Sequence, residues 1–240
     1  MKKLIILIIT VLSYSFSIQA TYNAKYGWLG TVGIAKGYFE KNETDYIIKT
    51  NSKLTGIAAT LSHHLKNSYI SIGKIKNGIL YPKKYITIRK NSKKEVKTIF
   101  IFNKKHIQKI RFINGKLDSN STLSYYVNQD ILSLYFNLPK FIKKHNKKYI
   151  FYALGGRHKD GKIEVTFPKG NELKKIQDTF DNIKGIYIKA NLFNKIFAGD
   201  KGILYLVINP KNWVTLRGMV KNVLKIGNLK GKLVDFKQVP

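Results

Sequence analysis

Apolar and polar side chains alternate with a period of two along much of this chain, and that period leaves few folds open. Ile163, Val165 and Phe167 alternate with Lys162, Glu164 and Thr166. Ile186, Ile188 and Ala190 alternate with Tyr187, Lys189 and Asn191. Val214, Leu216, Gly218 and Val220 alternate with Thr215, Arg217, Met219 and Lys221. Successive side chains of a strand point to opposite faces, so each run predicts a strand with one buried face and one wet face. Turn residues separate such runs at Lys41–Asp45, Lys76–Gly78, Asn91–Lys93, Asn114–Gly115, Lys159–Gly161 and Asn209–Asn212. Turn signals roughly ten residues apart predict a mainly β fold. We expect an antiparallel meander forming a curved sheet, half-barrel or barrel, with one or two short helices.

Two stretches break the alternation. Leu54 to Leu65 is compatible with a helix and is expected to plug one end of a barrel. Asn128 to Leu138 is the stronger helix: Ile131, Leu134, Tyr135 and Leu138 form a stripe at i, i+3, i+4 and i+7. Asn128 is placed to cap it, Asp130 to sit at the positive end of its dipole, and Pro139 to stop it.

The 44 Lys and Arg residues against 13 Asp and Glu give a formal net charge of +31. A hydrophobic content of 44% nevertheless provides a core, which excludes a disordered polycation. Arg occurs only at Arg89, Arg111, Arg157 and Arg217. Lys is a flexible point charge rather than a bidentate reader of phosphates, so most of the charge reads as a solvated face. The chain has no cysteine, which excludes disulfides, thiolate metal sites and a cysteine-linked lipid anchor.

Lys2 and Lys3, the apolar run Leu4 to Leu12 and the small, polar stretch Ser13 to Ala20 have the order of a secretory signal peptide. Cleavage is expected near Ala20, although Ile18 at the minus-three position is branched. That leaves residues 21–240 as a single β-rich domain, periplasmic or secreted, without a transmembrane span. Signal peptidase and the export machinery are the partners this segment implies.

A set of ordered motifs runs through the rest of the chain. It opens with Tyr26-Gly-Trp-Leu-Gly-Thr-Val-Gly-Ile-Ala35 and continues with Lys53-Leu-Thr-Gly-Ile-Ala-Ala59 and Gly78-Ile-Leu-Tyr-Pro-Lys-Lys-Tyr85. Asp130-Ile-Leu-Ser133 follows, and Gly202–Ile208 and Gly227–Leu233 close it. In this order they resemble the bacterial domain-of-unknown-function family 3108, over most of residues 22–235. Gly78 to Tyr85 is similar to that family's strand entry, Asp130 and Ser133 to its D-x-L-S helix, and the last pair to its closing hairpin. Ile131 departs from the family pattern, where Pro is frequent. The resemblance implies an exported, β-rich envelope protein and no particular activity.

Enzyme signatures are absent from the sequence: there is no G-x-S-x-G elbow, H-E-x-x-H or phosphate-binding loop. His63 and His64 diverge on either element type, and His106, His145 and His158 lie in separate segments. No metal site and no cofactor is expected. Lysines interleave with aromatics at Tyr81 to Tyr85 and Lys147 to Tyr152, the composition of a stacking groove. Alternation on a strand produces the same pattern, and an export signal leads away from nucleic acid. The leading expectation is a non-enzymatic protein that binds or supports an envelope component such as an acidic lipid or anionic polymer. A structural or interaction module of the envelope and a hydrolase of envelope glycan or lipid are the alternatives. Trp28, Phe100, Phe102, Tyr135 and Arg157 are the candidate ligand-binding residues, with Arg157 in a glycine-rich loop suited to an anion. Asn42 and Asn120 stand in N-x-S/T sequons, each preceded two residues earlier by an acid, Glu40 and Asp118. Both asparagines are expected at turns, as N-glycosylation acceptors.

Overall fold

The computed structural model describes residues 15–155, 160–192, 202–223 and 227–239. One meander, β1 (Phe16–Tyr26), β2 (Thr31–Lys41), β3 (Asp45–Leu54), β4 (Lys66–Lys76), β5 (Ile79–Lys90), β6 (Glu95–Phe102), β7 (Ile107–Ile113) and β8 (Lys116–Thr122), makes the first part. A second, β9 (Tyr149–Tyr152), β10 (Lys162–Thr166), β11 (Ile186–Leu192), β12 (Gly202–Ile208), β13 (Thr215–Val223) and β14 (Gly227–Val239), makes the rest. Helices α1 (Gly56–Leu61), α2 (Ile131–Phe141) and α3 (Gly170–Thr179) punctuate them, with a 3-10 turn at Gly27–Leu29. All pairings between these strands are antiparallel and join them into a single 14-stranded sheet with β8 and β9 at its edges, and an isolated parallel bridge links Asp130 to Leu154. The two meanders meet where β1 pairs with β14. Of the expected forms, the open sheet is the one adopted.

The sheet curves around α2. Leu134 and Leu138 pack with Ile163, Val165, Ile188 and Ile208 of β10 to β12. Leu132 and Phe136 pack with Ile18, Phe39, Tyr46 and Ile48 of β1 to β3. Ile131 and Leu132 pack with Tyr85 and Phe102 of β5 and β6. Neighbouring strands stand about 4.8 Å apart and a helix is only about 10–12 Å across, so a flat sheet cannot bring these strands to one helix.

The structure moves the expected caps of α2. Its N-cap is Asp130, not Asn128, and the helix runs through Pro139 to Phe141. Of Leu54 to Leu65, only Gly56–Leu61 is helical, and it lies against β2 and β3. It plugs nothing: Ile57 and Leu61 are 70% and 79% exposed, and α2 fills the concave face instead. The third helix, α3, covers the opposite face, where Ile176 and Phe180 pack on Tyr205, Val207 and Met219. Met219 is therefore buried rather than outward and wet. β12 reads as a continuous apolar run because both its faces are covered. Gly202–Ile208 and Gly227–Leu233 form no hairpin with each other, since β13 lies between them.

The sheet also reaches past the expected cleavage point. Phe16 to Ala20 form the first part of β1, with Ile18 and Ala20 buried.

Gly73 marks a register shift between β4 and β5. A Cβ there would run into the Tyr81 carbonyl oxygen and come within 2.8 Å of Pro82 Cα and Tyr46 Cε1. Gly73→Ala is expected to lower the unfolding free energy by about 2 kcal/mol, read from urea denaturation.

A candidate binding cavity under helix α2

A cavity of about 420 Å³ lies between α2 and strands β1, β2 and β3, beside the contacts that Leu132 and Phe136 make with them. It exists because small residues line up across three strands. Ala20 of β1 faces Gly37 of β2, and Gly37 faces Thr50 of β3. The neighbouring row on the same face, Ile18, Phe39 and Ile48, is large and packed. A Cβ on Gly37 would meet only the Ala20 carbonyl oxygen, at 4.0 Å, so the space above this row is open.

Leu132, Tyr135, Phe136 and Pro139 of α2 form the opposite wall. Phe136 stacks on Phe39 with ring centroids 4.3 Å apart, and Phe16 meets Phe39 edge-on at 6.2 Å. Lys41 pairs with Phe16 across the strands and holds its ammonium 5.2 Å from the Phe16 ring centroid. The Phe16 side of the lining thus has a cation beside it.

The Tyr22 side is polar in a different way. The Tyr135 hydroxyl donates to the Trp213 carbonyl oxygen at 2.9 Å and lies 2.9 Å from Thr215 Oγ1. These bonds fix Trp213 and Thr215 in the cavity wall. Tyr22 lines the cavity beside them, and its hydroxyl has no hydrogen-bond partner among the described residues. Burial and the nearby Tyr135 oxygen raise the Tyr22 pKa. The neutral phenol gives this side of the cavity a hydrogen-bond donor.

Next to the cavity, α2 is tied down by a buried polar network. Asp130 accepts from the Leu132 and Ser133 amides, both at 2.9 Å, and from Ser71 Oγ at 2.5 Å. Ser133 Oγ in turn accepts from the Asp130 amide, completing a capping box. Asn137 accepts from the Leu80 amide and donates to the Leu80 carbonyl oxygen, both at 2.9 Å, and it donates to Gln129 Oε1 at 2.8 Å. Its amide group takes the place of a strand neighbour, because the pairing of β5 with β6 begins only at Lys84. Pro82, which has no amide hydrogen to give, lies in this same stretch of β5, paired with β4 on one side and not with β6 on the other.

Of the candidate ligand-binding residues whose side chains are described, Tyr135 alone lines the cavity. Phe102 is buried core, and Phe100 stacks on Tyr85 at 6.0 Å, both under the start of α2 and away from the cavity. Trp28 lies in the 3-10 turn, but its side chain is outside the described residues, as is Arg157 with its loop. Ile18, Ala20, Tyr22, Gly37, Phe39 and Thr50 were missed as lining residues. Their signal, a row of small residues at matched positions of neighbouring strands, needs the strand register to be seen.

Asp130 and Ser133 are structural partners at the helix start. Asn42 sits in the β2–β3 turn, where its Oδ1 accepts from the Thr44 and Asp45 amides at 2.9 and 2.6 Å. Asn120, by contrast, is not in a turn. It stands on the edge strand β8, accepting from Gln108 Nε2 at 3.1 Å. Among the described residues no three His, Asp or Glu side chains gather as a metal site. No helix among them is long and apolar enough to cross a membrane. No protein-family model, curated protein or solved structure matches this chain.

Proposed function

We propose that this is an exported, non-enzymatic protein that binds a single-chain acidic amphiphile of the cell envelope in the cavity under α2. The observation that carries this reading is the built-in void over Ala20, Gly37 and Thr50, walled by aromatic and aliphatic side chains. Its volume of about 420 Å³ is within the range of about 300–1,000 Å³ usual for small-molecule sites. At about 30 Å³ per water-sized group, it takes one alkyl chain of about fourteen carbons rather than two chains. From Phe16 to Tyr22 the lining follows β1 for about 20 Å, a length suited to an extended chain. Lys41 on one side and the Tyr22 hydroxyl on the other supply partners for an anionic or carbonyl-bearing head group.

Myristate is the probe, with native mass spectrometry as the readout. One myristate per chain is expected. Gly37→Leu places a side chain in the open space and is expected to weaken binding at least tenfold without lowering the melting temperature. Equal binding by both proteins, or none by the wild type, overturns the reading.

A further inference from the structure

The first strand bears on where an exported form of this chain is cut. β1 lies in the interior of the sheet, between β2 and β14. Within Phe16 to Ala20, Ile18 pairs with Phe39 on one side and Gln238 on the other, and Ala20 pairs with Gly37 and Phe236. Phe16, Ile18 and Ala20 also line the cavity. Cleavage after Ala20 would take these residues away. The β2 segment from Gly37 to Lys41 and the β14 segment from Phe236 to Val239 would both lose their partner. Only Thr21 to Tyr26 would still join β2 to β14, and the cavity would lose three of the four residues that β1 gives to its wall.

The junction before β1 carries a better signal. Ser13 and Ser15 are small residues two apart, as the minus-three and minus-one positions require, and Ser15 is the last residue before the strand. We infer that signal peptidase hydrolyses the bond between Ser15 and Phe16. Water adds across this peptide bond; the signal fragment leaves with a carboxylate on Ser15, and Phe16 keeps a new α-amino group. That amine is protonated at neutral pH. It forms at the end of β1, where Phe16 faces Lys41 and where Ser15 Oγ reaches Glu40 Oε1 at 3.3 Å. Maturation therefore adds a second cation beside Lys41, on the side of the cavity proposed for the acidic head group. The inference rests on the export reading.

The test is expression of the full chain in a Gram-negative host, followed by intact mass and N-terminal peptide analysis of the envelope fraction. A mature chain beginning at Phe16 is expected. Ser15→Leu is expected to accumulate the precursor, whereas Ala20→Leu, whose added atoms enter the cavity, is expected to be processed as the wild type is. A chain beginning at Ile18 or Thr21 overturns the inference and leaves export standing. A chain retaining Met1 in every fraction overturns both.

Discussion

Asp130→Ala is expected to lower the unfolding free energy by about 3 kcal/mol, the combined loss of an N-cap and of a buried hydrogen-bond acceptor. Asp130 is fully buried. Its carboxylate serves the first turn of α2 and the β4 residue Ser71 together, and Ser71 Oγ also lies 3.1 Å from the Tyr46 hydroxyl. Removing the carboxylate strands these donors at the point where the helix is fastened to the sheet. Asp130→Asn separates the cap from the charge. The Asn oxygen can still accept from the Leu132 and Ser133 amides, and its NH₂ can donate to Ser71 Oγ. The Ala and Asn variants should therefore differ sharply in urea unfolding at pH 7, with Ala much the weaker.

The same pair predicts a pH dependence. Burial pushes the Asp130 carboxyl up to about 6, against the hydrogen bonds that pull it down. An unfolded Asp titrates near about 3.9. Between these values the folded state holds a proton that the unfolded state lacks. Stability from this group is thus fully present below the unfolded pKa and is lost as pH rises through the folded one. The slope approaches about 1.4 kcal/mol per pH unit over that window. Asp45, Glu164 and Glu172 act in the opposite sense at lower pH, because lysine partners hold their pKa values down. The difference between wild type and Asp130→Asn isolates the one group: the wild type should lose stability relative to the variant from pH 4 to 6 and run parallel to it above. A constant difference across that window would refute the assignment.

Asn137→Leu is the second large effect. The substitution keeps the branching of the side chain but deletes three hydrogen bonds in a site only 1% exposed. The Leu80 amide and Gln129 Oε1 lose their partners, while the Leu80 carbonyl oxygen keeps Gln129 Nε2 at 3.0 Å. Two stranded buried groups at about 1–3 kcal/mol each, offset in part by the added apolar burial, give a net loss of about 2–3 kcal/mol. For a domain of this size that corresponds to a melting temperature lower by about 6–10 °C. Hydrogen exchange at the Leu80 amide should accelerate more than at its β4 neighbours, because Asn137 is what protects it.

The sequence is most legible where local chemistry decides the outcome. Alternation and turn residues mark the strands because one face of most of them is wet; Ile163 and Val165 are buried while Lys162 and Glu164 are not. The stripe of α2 is visible because all its apolar residues meet one concave wall. What escapes is what only pairing creates. Met219 reads as outward until α3 is known to cover that face. The α3 stripe of Leu173, Ile176 and Phe180 was there to be found, but Lys174, Lys175 and Asp178 dilute it. The cavity is the extreme case: Ala20, Gly37 and Thr50 stand far apart in the chain, and nothing local joins them. The large aromatics were natural candidates for a ligand wall, yet Phe102 fills space and Gly37 makes it. Asp130 reads correctly as a residue at the positive end of the helix, though Asn128 reads as its cap, whereas the roles of Ser71 and Asn137 depend on elements they do not belong to.

The placement of β1 beside β14 sets the order in which this molecule can be finished. Ser17 pairs with Val239, so the central seam of the sheet joins the two most distant strands of the chain. Every other described strand pair joins neighbours in chain order. Each meander can zip up from its own hairpins, but the seam must wait for the last strand to emerge. Such non-local closure is slow. Until it occurs, β1 is an open edge carrying Phe16, Ile18 and Tyr22, the kind of edge that recruits a wrong partner. A chain threaded across a membrane N-terminus first would hold that edge open for the whole of its passage.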